Sequence, residues 1–116
     1  MGLFRKDTKL ERKNKARNIM VKSGWIEKYY YILKVIRSCE SSNNIQTTIK
    51  ARRWGLDILR RDYDIICKTP KAKKVQAELY DIYFAYTETL YDIYSQMVDK
   101  AVNNIKNFNA DEHSTL

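Results

Sequence analysis

The carboxylates Asp81, Glu88, Asp92 and Asp99 recur at intervals of seven, four and seven residues. That spacing stacks acids along one side of a helix, where they can ligate a metal pair or act as general acid and base. A di-metal site inside a helical bundle needs Glu-x-x-His pairs directed inward, and no histidine stands among these four acids. The single histidine, His113, lies in a polar C-terminal stretch, so Ser-His-Asp and Cys-His arrangements have no base. Asp62 and Asp64 are two residues apart, which on a helix points them in different directions. The chain carries no HExxH, GxSxG or CxxC, no phosphate-binding P-loop and no GxGxxG. The expectation is a protein that is not an enzyme, with no catalytic, cofactor-binding or metal-ligating residues and no small-molecule substrate.

Cys39 and Cys67 are the only cysteines, and both sit among apolar residues in helical patterns. Buried, reduced thiols are the expected state, with a disulfide or metal pair as the alternative. The remaining chemistry is charge. Net charge is +8 at pH 7, and it is uneven: residues 1–74 carry 20 Lys/Arg against 7 Asp/Glu, whereas residues 75–116 carry 2 against 7. A basic front and an acidic back can pair with each other, join copies head to tail, or leave the front for a polyanion.

Two basic clusters are poorly neutralised. Arg5, Lys6, Arg12, Lys13 and Arg17 lie in the first 22 residues with only Asp7 and Glu11 against the whole segment. Lys71, Lys73 and Lys74 open a later helix, where cations oppose the helix dipole but could flank a bound phosphate. These eight residues are the candidates for phosphate contact. Between them, Arg53–Asp57, Asp57–Arg61, Arg60–Asp64 and Asp64–Lys68 interlace at i to i+4, the pattern of a solvated helix face.

The elements that carry these groups are helices. Hydrophobic residues make up 44 % and charged residues 31 % of 116, a globular composition for one domain, and three Gly with one Pro speak against a hairpin-rich β fold. Thr8-x-x-Glu11 is a capping box for a basic helix running to Lys22, and Gly24 is its C-cap or hinge. Trp25, Tyr29, Ile32, Leu33 and Ile36 mark a second helix to Cys39. Ser41 to Asn44 is a loop, with Asn43 and Gln46 as the cap of a third helix over about 44–68. Ile45, Ile49, Arg52, Leu56, Leu59, Tyr63 and Ile66 form its seam, and Trp54, Ile58 and Ile65 on the other side predict a central helix. Thr69-Pro70 caps a fourth helix that could continue unbroken to Phe108, leaving 109–116 as a polar tail.

That last helix holds LYDIY twice, at 79–83 and 90–94. Eleven residues make almost three turns, so both copies present the same face. One stripe is Val75, Leu79, Ile82, Tyr86, Leu90, Ile93, Met97 and Ala101; a second, further round, is Tyr80, Phe84, Tyr91, Val98 and Val102. Both stripes can be core. Yet a third helix of about 25 residues reaches only to about Ser95, leaving roughly 20 Å of apolar helix beyond it. The first helix folds over this overhang, or the last helix turns back, or another chain covers it.

The chain therefore reads as an all-α, three- to four-helix bundle, a single domain over 1–116, with a long C-terminal helix and a projecting basic N-terminal helix. The expected function is a non-enzymatic interaction, adaptor or regulatory protein that self-associates or binds another protein. Tyr80, Phe84, Tyr91, Met97, Val98, Val102 and Ile105 are its interface candidates. The alternative is a low-specificity nucleic-acid-binding protein using the basic half. No run approaches the roughly 18 apolar residues of a membrane span, and the first residues lack a secretory pattern, so no membrane contact and a cytoplasmic location are expected. Abundant Lys, Asn, Ile and Tyr fit an AT-rich genome such as that of some bacteria, phages or plasmids.

Overall fold

The computed structural model describes the backbone of residues 8–114 and the side chains of residues 8–106. The described chain is an all-α bundle of four helices and one single-turn helix: α1 Lys9–Lys22, α2 Trp25–Ser41, α3 Ile45–Cys67, α4 Pro70–Lys73 and α5 Gln76–Ser114. The molecule is elongated, 82 × 22 × 18 Å. No described helix is long and apolar enough to cross a membrane.

The helix ends follow local chemistry. Thr8 Oγ1 accepts the Glu11 backbone N–H at 3.1 Å, the first half of the capping box. At the other end of α1, Gly24 takes the left-handed conformation at φ +81°, which spares a side chain the strain there. The Ser23 hydroxyl completes this turn, donating to Met20 C=O at 3.0 Å and accepting from Trp25 N–H at 3.4 Å. The cap of α3 lies one residue later than the sequence suggests. Asn43 turns the chain at φ +58°, and Asn44 accepts the Thr47 N–H at 3.0 Å.

α2 and α3 form an antiparallel hairpin, joined by indole N–H donation from Trp25 Nε1 to Leu59 C=O at 3.0 Å and by a Lys28–Asp62 ion pair. The close approach passes through Gly55, where a Cβ would overlap Ile32 Cγ2 and meet Ile36 Cδ1 at 3.6 Å. α3 touches α2, α4 and α5 and so is central, but Trp54 and Ile65 on its outer side stay exposed.

The last long helix is not continuous from Pro70. The chain leaves α4 at Lys74 and restarts at Gln76, with Val75 N–H bonded to Ala72 C=O three residues back. This tightened turn buries both Ala72 and Val75, one from each side of the break. Thr69 precedes Pro70 as expected, yet its hydroxyl donates back to Ile66 C=O at 2.7 Å instead of capping α4. α5 continues helical to Ser114, through most of the stretch expected as a tail.

α1 does not project. Ala16 and Met20 are fully buried, Ile19 packs beside them, and Arg12 forms an ion pair with Glu78 on α5. One narrow apolar edge, four residues apart at Ala16 and Met20, is enough to seat a helix that is otherwise cationic, because the cations occupy the remaining faces. The core thus joins α1, α2 and α3 to Val75 at the break and to the first α5 stripe, in which Leu79, Leu90 and Ile93 are buried. Around Trp25 the packing is aromatic, with Tyr29 stacked at 6.1 Å and Tyr83 and Tyr86 tilted against it at 5.8 and 5.9 Å.

Candidate protein-docking surface

At 100° per residue, the sides of α5 sort themselves. Leu79, Leu90 and Ile93 face the core, and Tyr83 meets α3 by stacking on Tyr63 at 4.4 Å. Beyond the α3 contact lies the second stripe. Beyond that runs the acidic ridge of Asp81, Glu88, Asp92 and Asp99, all exposed.

The second stripe is not core. Tyr80 is 54 % exposed, Phe84 and Tyr91 52 % each and Ile105 62 %, with Val98 and Val102 also exposed. These are six of the seven expected interface residues on one continuous side of one helix. Met97, the seventh, packs partly buried against the core from the first stripe. Tyr80 and Phe84 stack on each other at 6.2 Å without any other helix over them. Tyr94, which the sequence reading left out, borders the same surface and is 37 % exposed.

Arg52, the polar member of the α3 seam, explains how the stripe is anchored. Its Nε donates to Leu90 C=O at 3.0 Å, and its guanidinium lies 5.0 Å from the Tyr91 ring centroid and 4.3 Å from that of Tyr94. An arginine at a seam position, four residues before Leu56, was visible in the sequence. Its cross-helix targets were not.

The overhang is shorter than the length argument implies. The α2–α3 turn reaches along α5 far enough for Glu40, Asn43 and Ile45 to form a cleft of about 390 Å³ with Met97, Lys100 and Ala101. Past this cleft α5 runs on without another helix beside Val102 and Ile105, so of the three ways the sequence left open for covering the overhang, neither a fold-over of α1 nor a turning back of α5 occurs among the described residues.

Partly buried phenols line the inner margin. Burial, and after it a hydrogen bond with the Cys67 thiol, pushes the Tyr63 hydroxyl far above its ordinary value. Burial also raises Tyr83, with the neighbouring Tyr91 adding to it, and raises Tyr86, which faces Tyr30. These hydroxyls stay neutral and serve packing. Cys39 and Cys67 are free and partly buried. No cluster of metal-ligating side chains occurs among the described residues.

The basic candidates divide. Arg5 and Lys6 lie outside the described residues. Arg12 is engaged with Glu78, a second contact running from Nη2 to Oε2 at 3.4 Å, and this guanidinium holds the Glu78 carboxyl below its usual range. Lys13, Arg17, Lys71, Lys73 and Lys74 are exposed. The helix that the three lysines were expected to open is a single turn, too short for a developed dipole, so their phosphate-binding rationale at a helix N-terminus does not hold.

Comparison with known proteins adds no family: no family model, curated protein or solved structure matches the chain.

Proposed function

We propose that the protein is a non-enzymatic helical interaction protein that docks another helical surface, its own or a partner's, on the second stripe of α5. The observation that carries this reading is the continuous row of half-exposed Tyr80, Phe84 and Tyr91 passing into Val98, Val102 and Ile105. Isolated exposed apolar residues are ordinary, but a contiguous stripe with large aromatics at one end is typical of interfaces. Arg52 supports it further, because a guanidinium already seated on Tyr91 and Tyr94 lowers the side-chain entropy lost on docking.

Tyrosine nitration footprinting tests the reading. The nitration rates of Tyr80 and Tyr91 are compared in dilute pure protein, in concentrated pure protein and in extract of the native host. Protection by concentration identifies self-docking, and protection only in extract identifies a partner. Equal reactivity in all three refutes a docking face.

A second reading keeps one supporting observation. α4 packs against α1, so Lys71, Lys73 and Lys74 stand on an element in contact with the helix that carries the exposed Lys13 and Arg17, although they are far apart in sequence. This arrangement suits low-specificity phosphate contact. Anisotropy of a labelled DNA duplex at about 50 and 200 mM salt decides it, since engaging several phosphates makes affinity fall by orders of magnitude between the two. No binding at the lower salt refutes it.

A further inference from the structure

Two rows of exposed side chains, on different helices, carry opposite charge at the same spacing. On α5 the row is the acidic ridge of Asp81, Glu88, Asp92 and Asp99; on α3 it is Lys50, Asp57, Arg61 and Lys68, again at steps of seven, four and seven. Each row runs for about 27 Å of helix. Beside each lies an exposed apolar stripe. On α5, Phe84, Tyr91, Val98 and Ile105 recur every seven residues, with Val102 among them. On α3 the stripe is Trp54, Ile58 and Ile65, of which Trp54 and Ile65 are exposed. The Lys28–Asp62 pair and the approach of Ile36 to Gly55 set the register of the hairpin and place Tyr31 of α2, also exposed, beside Ile58. We infer that the docking face of α5 receives the α3 face of a second copy, the two helices running parallel, so that copies join front to back. The inference rests on the docking surface proposed above and names its partner.

The order of the rows around each helix selects the direction. Viewed down both helices in the same sense, the apolar stripe lies about 60° past the charged row on α3 and about 80° short of it on α5. Helices that face each other in parallel therefore bring the acidic row onto the basic row and stripe onto stripe. Antiparallel contact would lay the acids on Trp54 and Ile65. In the parallel register Lys50 faces Asp81, Arg61 faces Asp92 and Lys68 faces Asp99, leaving Asp57 against Glu88 as the one like pair. Asp57 also has Arg53 and Arg61 one turn to either side. Among the described residues, none of these charges is taken up by an ion pair within the chain.

The contact uses the outer edge of the α5 stripe. Phe84 and Val102 lie about 60° round the helix from Asp99, and Tyr91 and Val98 about 80–100°. Thr87 and Tyr94 lie further round, at about 120° and 140°, on the α3 side. Thr87 is buried there and Tyr94 carries Arg52, so neither takes part. The two faces also look in different directions. Trp54 stands half a turn round α3 from Tyr63, which packs on α5, and Asp81 and Asp99 stand half a turn round α5 from buried Leu90. They cannot meet within one chain. Each copy that docks leaves one face of each kind open, so the contact is heterologous and the assembly grows by addition. The uneven charge of the sequence, basic in its first 74 residues and acidic after them, is thereby used between copies.

Sedimentation velocity of the full chain at about 50 mM salt tests this with two double variants. Lys50→Glu with Arg61→Glu reverses the α3 row, and Glu88→Lys with Asp92→Lys reverses the α5 row. All four positions are exposed, so circular dichroism should report unchanged helicity. Wild type is expected to pass from the 13.8 kDa monomer to species beyond a dimer as concentration rises. Each variant alone should associate on the order of tenfold more weakly, or worse, because its two faces then carry the same sign. Mixed in equal amounts they should recover to within about threefold of wild type, since each meets an opposite face. A wild-type chain that stays monomeric at about 200 μM overturns the inference, as does an α3 variant that associates like wild type, or a mixture no tighter than the variants alone. If the chain is monomeric while Tyr80 and Tyr91 are protected only in host extract, the second copy is refuted and the docking face stands.

Discussion

Gly55 offers the sharpest test of how the hairpin beneath the docking helix is packed. It stands in the interior of α3, where Gly→Ala ordinarily stabilises a helix by about 1 kcal/mol. Here the added Cβ would overlap Ile32 Cγ2, with Ile32 Cβ at 3.7 Å and Ile36 Cδ1 at 3.6 Å. Ile32 and Ile36 are fully buried, so neither can swing into solvent. Overpacking costs about 1–3 kcal/mol, and with Ile32 held in the core the upper part of that range applies, which less the propensity gain leaves Gly55→Ala less stable by about 1–2 kcal/mol. For a chain of this size that lowers Tm by about 4–10 °C. Ile32→Leu moves the branch off Cβ and removes Cγ2, so in that background Gly55→Ala should become neutral or stabilising. Thermal and urea unfolding followed at 222 nm, with buried Trp25 fluorescence as a second probe, measure both differences. A rise in Tm for Gly55→Ala alone would refute the close approach of α2 and α3. An equal loss in both backgrounds would show that Ile32 Cγ2 is not the obstacle.

Met20→Ala should cost about 2–4 kcal/mol in urea unfolding, because a fully buried side chain is lost from the seat of α1; a projecting arm would lose nothing. Arg52→Leu should cost about 1–2 kcal/mol through its bond to Leu90 C=O and its two ring contacts, and Arg52→Lys should recover less than half, since an ammonium lacks the planar fork. Glu78 has its carboxyl depressed by Arg12, so the contribution of that pair is present above the ordinary carboxylate range near pH 4.5 and is lost as pH falls through the depressed value. The Tm difference between wild type and Glu78→Gln should accordingly be largest near neutrality and vanish in acid.

Much of the architecture is legible in the chain because apolar periodicity and turn residues are local signals. Trp25, Tyr29, Ile32 and Ile36 name the buried side of α2 without ambiguity, and Leu79, Leu90 and Ile93 do the same for α5. The seat of α1 was not legible. Only Ala16, Ile19 and Met20 declare it, and so short an edge is outweighed in any pattern count by the surrounding lysines and arginines. The break at Lys74 was hidden because nothing in Lys-Lys-Val-Gln opposes a helix; burial of both Ala72 and Val75 in the core, one on each side of it, decides it. At the docking surface the residues were identifiable, but whether the second stripe is covered depends on where α3 lies around α5. That is set by Tyr63 on Tyr83 and by Arg52 on Leu90 C=O, contacts between residues 20 and 38 positions apart.

The two stripes of α5 differ in period, and they do not stay equally far apart. An eleven-residue repeat advances about 20° per cycle in one sense, and a seven-residue repeat slips about 20° in the other. Followed from Tyr80 toward Ile105, the inner and outer rows behave as screw threads of opposite hand cut into the same rod. They are well separated beside Trp25 and nearly merge by Ala101 and Ile105. Any helix that tracks the outer thread is therefore steered, near its far end, onto the mouth of the bundle at Ile45, which is itself 44 % exposed. A helix docked along that flank would thus also plug the open end of the core.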